Sequence, residues 1–191
     1  MKRLLLICMS LWLSAPLQAS ELGDDGLHKA AWMRETFKDL SEDLEEANAE
    51  GKRLAVIIEQ QNCIYCKKMH ENVFSDPSVF QYLIDHFFVV QINMFGNVEV
   101  TDFDGQTLEE REMVSKWGML FTPTMMFFPD QLDNLAPANV VMVASMPGAF
   151  GKETTKNLLS WVKDKIYEIP GVSFQKYHAE KLNARQASQS D

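Results

Sequence analysis

The chain has 191 residues, 46% of them apolar, and sets 18 Lys and Arg against 27 Asp and Glu for a formal net charge of −9. It is long enough for one domain with a sizeable core. So acidic a balance excludes a nucleic-acid binder, whose ligand demands a basic face, and works against adhesion to anionic lipid.

The chain opens on Met1-Lys2-Arg3, runs apolar over residues 4–15, and reaches Leu17-Gln18-Ala19 before Ser20. A basic start, a short apolar run and a small residue at the cut predict a secretory signal peptide over residues 1–19. The run is too short for a membrane span, although an anchor helix is the competing reading. Cleavage after Ala19 removes Cys8 and leaves Cys63 and Cys66 as the only cysteines of the exported protein. Nothing later reads as a second apolar span, so no stable membrane insertion is expected after cleavage.

Residues 20–50 are expected to form an N-terminal helical extension. Leu27, Ala31, Phe37, Leu40 and Leu44 recur three to six apart among charges, with a break near Ser41 and a stop at Gly51. Residues 54–58, Leu-Ala-Val-Ile-Ile, are a short apolar run that suits a strand buried on both faces. After a turn at residues 60–62, residues 63–72 can form a helix. Asp76-Pro77 starts another, Asp as N-cap and Pro in the first turn, with Val79, Phe80, Leu83 and Ile84 as its apolar face. Residues 87–92 are the second strong strand.

Residues 94–107 are polar and turn-rich. Asp102-Phe103-Asp104-Gly105 resembles the start of a calcium loop, but the later ligands are missing at their offsets, so it reads as a turn. A helix is expected over 108–117 and stops at Gly118. A strand beginning with proline follows over 122–128, then a loop, a strand over 140–145, and a closing helix over 152–168. Residues 169–191 are a polar tail, poor in apolar anchors and expected to be loosely held. This alternation predicts an α/β protein, a mixed central sheet with helices on both faces and the 122–145 pair at one edge.

The chemistry sits in "QNCIYCKK", residues 61–68. Cys63 stands at the N-terminus of a helix that follows a buried strand. Unpaired N–H groups and the helix dipole favour an anion there, so its thiol should ionise readily, and the thiolate is the nucleophile. Lys67 and Lys68 add positive charge nearby. Cys66 lies one turn on and faces the core, which suits a thiol that resolves a mixed disulfide. As a structural staple the pair is poor, because it closes too short a loop to remove much entropy.

Metal is the competing use. A structural zinc site needs four ligands, and His28, His70, His86 and His178 offer no pair at zinc spacing. His70, four residues after Cys66, reads as a surface or half-buried side chain. Cu(I) held by two thiolates with Met69, Met119, Met125 or Met126 stays open as a binding-module alternative without turnover, although methionines at such positions usually fill cores.

"RLAVIIEQQNCIYCKKM", then "FTPTMMFF", then a strand, a glycine and a final amphipathic helix resemble the thioredoxin-fold family over residues 50–166. Within it, export, the CxYC motif and Thr-Pro are similar to periplasmic thioredoxin-like proteins of the SoxW type. The resemblance implies Cys63 as attacking and Cys66 as resolving cysteine. It implies a cis Pro123 facing them, and Thr122 before it as a backbone edge on which substrate docks as an added strand. Tyr65 joins these as a substrate-contacting residue. It implies a periplasmic protein disulfide oxidoreductase, with a thioredoxin-like domain over residues 51–168. No bound cofactor is needed, because electrons pass through the dithiol.

The departures matter. Asn62, Ile64 and Tyr65 replace the family's usual Trp before the first cysteine and Gly-Pro between the two. The family's buried Asp, six residues before the first cysteine, is Ile57 here. Glu59 lies two residues on and on the same strand face, so it is the expected proton relay. Ile-Tyr is closer to the Pro-Tyr of glutaredoxins, but no basic cluster suits the carboxylates of glutathione. The partners expected are protein thiols and disulfides and a membrane thiol donor, with the chain working as a reductase. An oxidase or isomerase shares every one of these residues and stands as the alternative.

Overall fold

The computed structural model describes residues 20–188; the expected signal peptide, with Cys8, lies outside them. Nine strands and seven helices follow in order: β1 Glu21–Leu22, β2 His28–Lys29, β3 Met33–Arg34, α1 Leu40–Ala49, β4 Arg53–Glu59, α2 Ile64–Met69, α3 Pro77–His86, β5 Phe87–Asn93, β6 Glu99–Thr101, β7 Thr107–Glu109, α4 Glu110–Lys116, β8 Thr124–Phe127, a single turn α5 Ala138–Val141, β9 Ala144–Pro147, α6 Lys152–Lys163 and α7 Phe174–Ser188. A π-helical turn, His70–Phe74, continues α2.

The sheet runs β3-β5-β4-β8-β9. β3, β4 and β5 are parallel, and β8 and β9 are antiparallel to their neighbours. β4 and β5 are buried along almost their whole length, as strands covered on both faces must be. Alternation splits their side chains between two cores. Ala55, Ile57, Val89 and Phe127 meet α2, α3 and α6 on one face. Val56, Ile58, Val90 and Met126 meet α1 and α4 on the other. This is the mixed, two-faced sheet that the alternation of elements predicts.

The departures from expectation lie at the chain ends and in the loops. The N-terminal helix is present but begins only at Leu40, where the Asp39 side chain caps the N–H groups of Ser41 and Glu42. Residues 20–39 are extended: β1 and β2 form a hairpin, and β3 adds an edge strand to the main sheet. The physical reason is burial. Leu27 and Trp32 are sunk in the core, and no single helical stripe through 24–39 would put both there. Turn-rich 94–107 contains β6, paired with β7, and α4 therefore starts at Glu110. Residues 138–141 are helical, and the edge strand comes later, as β9.

The closing helix stops at Lys163. Lys165 takes a left-handed conformation, φ +53°, and a short 3-10 turn follows. The polar tail is helical as α7. It rests on α6 through Phe174, whose ring lies 6.1 Å from Trp161, and through His178, which bonds to Asn157. Two aromatics one turn apart supply the anchors that average polarity conceals.

Candidate active site

β4 ends at Glu59, and the chain turns through Gln60, Gln61 and Asn62 into α2. Asn62 has φ +57°, a conformation Asn tolerates better than most side chains. Cys63 is the N-cap of α2, and its Sγ accepts from the backbone N–H of Cys66 at 3.0 Å. The two cysteines are disulfide-bonded, with Cα atoms 5.2 Å apart. Cys63 is partly exposed, whereas Cys66 is fully buried.

β8 runs antiparallel to β4, with Thr124 opposite Ile58. The start of β8 therefore sits beside the end of β4, just where the chain leaves for the cysteines. The Thr122–Pro123 peptide bond is cis. Thr122 Oγ1 lies 3.3 Å from Cys63 Sγ. So the structure brings Cys63, Cys66, Thr122 and Pro123 to one end of the sheet.

Around them the surface is apolar. Ile64, Tyr65, Leu120 and Phe121 are exposed, the last two immediately before Thr122. Lys68 Nζ lies 5.4 Å from the Tyr65 ring centre, and Lys67 pairs with Glu71 at 3.7 Å. The two lysines are thus engaged by Tyr65 and Glu71. On the far side of Cys63 a cleft of about 670 Å³ opens between α2 and the β1–β2 hairpin, lined by Leu22, Gly26, His28, Asn62 and Ile64.

Glu59, the last residue of β4, is not on the surface. It is 0% exposed, and its Oε1 is 3.0 Å from His70 Nε2 while its Oε2 accepts from Gln91 Nε2 at 2.7 Å. His70 is 2% exposed, which corrects its reading as a surface or half-buried side chain. Its ring stacks on His28, centroids 4.4 Å apart, and lies 5.9 Å from Trp32. Lys29 Nζ reaches Gln91 Oε1 at 2.7 Å, and Gln91 also donates to the His28 carbonyl. Burial holds the pKa of His28 below its ordinary value, and the neighbouring His70 adds to that. Of this cluster only Glu59 was a sequence candidate. The readable signal for His70 was its place one helical turn after Cys66; nothing local pointed to His28 or Gln91.

Among the described residues, no group of three or more His, Cys, Asp and Glu side chains converges as a metal site would require, and no helix is long and apolar enough to cross a membrane.

A Cys63–Cys66 disulfide at a helix start, one cysteine partly exposed and the other buried, with the cis Thr122–Pro123 bond beside Cys63, defines a thiol–disulfide oxidoreductase of thioredoxin-like fold. A family profile described as a thioredoxin-like domain matches residues 40–135, and the chain belongs to that family. No curated protein matches it. Among solved structures, a thioredoxin-fold protein from Helicobacter pylori is 15% identical with a TM-score of 0.54, over 70% of this chain and 86% of that one. A thioredoxin from Thermus thermophilus is 22% identical, TM-score 0.49, over 70% and 87%. The oxidised C-terminal domain of DsbD from Neisseria meningitidis is 12% identical, TM-score 0.42, over 65% and 90%. At 15% identity the likeness to the Helicobacter pylori protein speaks to the fold alone, and residues 20–39 lie outside the matched profile.

Proposed function

We propose that this chain is an exported, periplasmic reductase of protein disulfides, similar in role to the SoxW-type proteins its motifs resemble. The observation that carries the reading is Cys63 Sγ at the start of α2, 3.3 Å from the Thr122 hydroxyl beside cis-Pro123. In the reduced protein the Cys63 thiolate attacks a substrate disulfide. A Cys63–substrate disulfide forms, and one substrate sulfur leaves as thiolate. Cys66 then attacks Cys63 Sγ, the Cys63–Cys66 disulfide closes, and the second substrate sulfur leaves. Two electrons have passed to the substrate. Thr122 and Pro123 present a backbone edge to the substrate chain, and Tyr65 adds an apolar contact. Glu59 serves the proton of Cys66.

The direction rests on how few groups favour the thiolate. Strong oxidants owe their potential to a stabilised reduced form. Here one backbone N–H and one hydroxyl approach Cys63 Sγ, and both nearby lysines are engaged elsewhere. A reductase in an oxidising compartment needs recharging by a dithiol donor, for which a membrane thiol carrier is the fitting class.

The test is equilibration of the mature protein in graded glutathione buffers, with trapping of the Cys63 and Cys66 thiol state. The expected potential lies near that of thioredoxin, about −270 mV. A value near about −120 mV would make the chain a disulfide donor or isomerase. A pair that does not exchange would return the argument to Cu(I) or thiol capture without turnover.

A further inference from the structure

Residues 20–39 precede the family profile, yet they line the same cleft as Cys63. The β1–β2 hairpin is fixed against the turn that leads into that cysteine. Gln61 donates its side-chain N–H to the Asp25 carbonyl, and a Cβ added to Gly26 would come within 3.0 Å of Gln61 Cγ. The hairpin is also held by buried Leu27, by the stacking of His28 on His70 and by the bond from Lys29 to Gln91. A wall anchored at so many points needs little ordering when a ligand arrives.

The cleft between this wall and α2, about 670 Å³, is of ligand-binding size. Its charge is acidic. Asp24 and Glu71 line it, and Glu21 is exposed on β1 beside it. Among the described residues Asp24 and Glu21 have no ion-pair partner. The ammonium in the lining, Lys67, already pairs with Glu71 at 3.7 Å. His28 adds no charge, because burial, with help from His70, holds its pKa below the ordinary value. Leu22 and Ile64 give the cleft exposed apolar surface. Tyr65, Leu120, Phe121 and Thr122 do not line it; they carry the separate apolar surface beside Cys63. Cys63 thus stands between an acidic cleft and an apolar face.

We infer that the cleft between the β1–β2 hairpin and α2 is a substrate subsite, and that it takes a lysine or arginine flanking the disulfide of a protein substrate. The inference rests on the oxidoreductase reading and names the substrate class that goes with it. Asp24 and Glu71 supply the counter-charge, and Glu21 adds to the field in the cleft. Leu22 and Ile64 cover the aliphatic stem of the basic side chain. Apolar neighbours of the same substrate cysteine rest on Tyr65, Leu120 and Phe121. The carboxylates of a glutathione disulfide meet like charge in this cleft and are disfavoured there. Because the acids lie to one side of Cys63, the basic residue counts on one side of the substrate cysteine only.

Short neutral peptides with one cysteine, blocked as the thiopyridyl disulfide, test this. Each carries Lys or Glu on one side or the other of that cysteine. The reduced Cys63 thiolate attacks the peptide sulfur, and a Cys63–peptide disulfide forms. The peptide–thiopyridyl bond breaks, and its electron pair leaves with a proton on thiopyridone, which is read by absorbance. Cys66 then displaces the peptide as a thiol. At about 20 mM salt the better-placed Lys peptide should react about tenfold or more faster than its Glu counterpart, and about 0.5 M salt should cut the ratio to about twofold, because screening weakens exposed charges. Asp24→Asn and Glu71→Gln should each lower the ratio about two- to fivefold, the worth of an exposed ion pair. Glu112→Gln makes an equal charge change on α4, which packs on the opposite face of the sheet, and should leave the ratio unchanged. All three side chains are exposed, so the variants should fold as wild type does. Equal rates for Lys and Glu peptides, a Lys preference that is the same on both sides of the cysteine, or a ratio that survives Asp24→Asn with Glu71→Gln overturns the inference. So does faster reaction with the thiopyridyl disulfide of glutathione. A folded, reduced wild type that releases thiopyridone from none of the peptides overturns the oxidoreductase reading, and the inference with it.

Discussion

Cys63 Sγ and Thr122 Oγ1 stand 3.3 Å apart across 59 residues of sequence. The antiparallel pairing of β8 with β4 makes them meet, because it sets the start of one strand beside the end of the other. In the reduced protein the Thr122 hydroxyl can turn its hydrogen to the thiolate.

Thr122→Val removes that hydroxyl and keeps the shape. One such bond is worth about 0.5 to 1.5 kcal/mol net, so the reactive fraction of Cys63 at neutral pH should fall about two- to tenfold. Iodoacetamide alkylation against pH measures it, and the profile should move to higher pH. An unmoved profile would mean that the contact is absent once the disulfide opens.

Asp43 is buried, and its Oδ2 has no partner. Burial pushes its pKa up from 3.8 to about 6, against a hydrogen bond from Thr36 and with help from Asp39, Glu46 and Glu42. A pKa raised on folding means that the stabilising contribution is whole below the unfolded value and lost as pH rises through about 6. Between about pH 4 and about pH 8, wild type should lose on the order of 2 to 3 kcal/mol relative to Asp43→Asn. Urea titrations at both pH values test it, and parallel behaviour of the two proteins would refute it.

Trp32 is 2% exposed and packs with Phe74 and His70. Trp32→Ala should therefore cost about 3 to 5 kcal/mol by chemical denaturation, as truncation of a core tryptophan does. A loosely attached extension would lose under about 1 kcal/mol, the range of an ordinary surface change.

Gly96 lies so close to Glu110 that an added Cβ would fall on Glu110 Oε2. The Glu110 carboxylate receives the Asn93 N–H at 3.0 Å and pairs with Lys38. Gly96→Ala should displace it and lower stability by about 1 to 3 kcal/mol, read as a fall in Tm. Unchanged stability would show that the Glu110 side chain moves aside freely.

The misreadings share a cause. Over 24–50 the spacing of Leu27, Ala31, Phe37 and Leu40 passes for a helical stripe, yet Phe37 is 96% exposed while Leu27 is buried. Periodicity reports which residues are apolar, not which partner covers them. Likewise α7 is polar on average, and two aromatics that meet Trp161 and Asn157 hold it.

What the sequence determined by itself was local. The apolar runs of β4 and β5 needed cover on both faces, Asp76-Pro77 began a helix, and two cysteines at a strand–helix junction implied thiol exchange. These follow from chain stiffness, hydrophobic period and capping, which act over a few residues. Only the tertiary structure decided what surrounds them. Glu59 meets His70 and Gln91, His28 stacks on His70, and Thr122 meets Cys63, because sheet register and burial fix distances between side chains that no stretch of sequence contains.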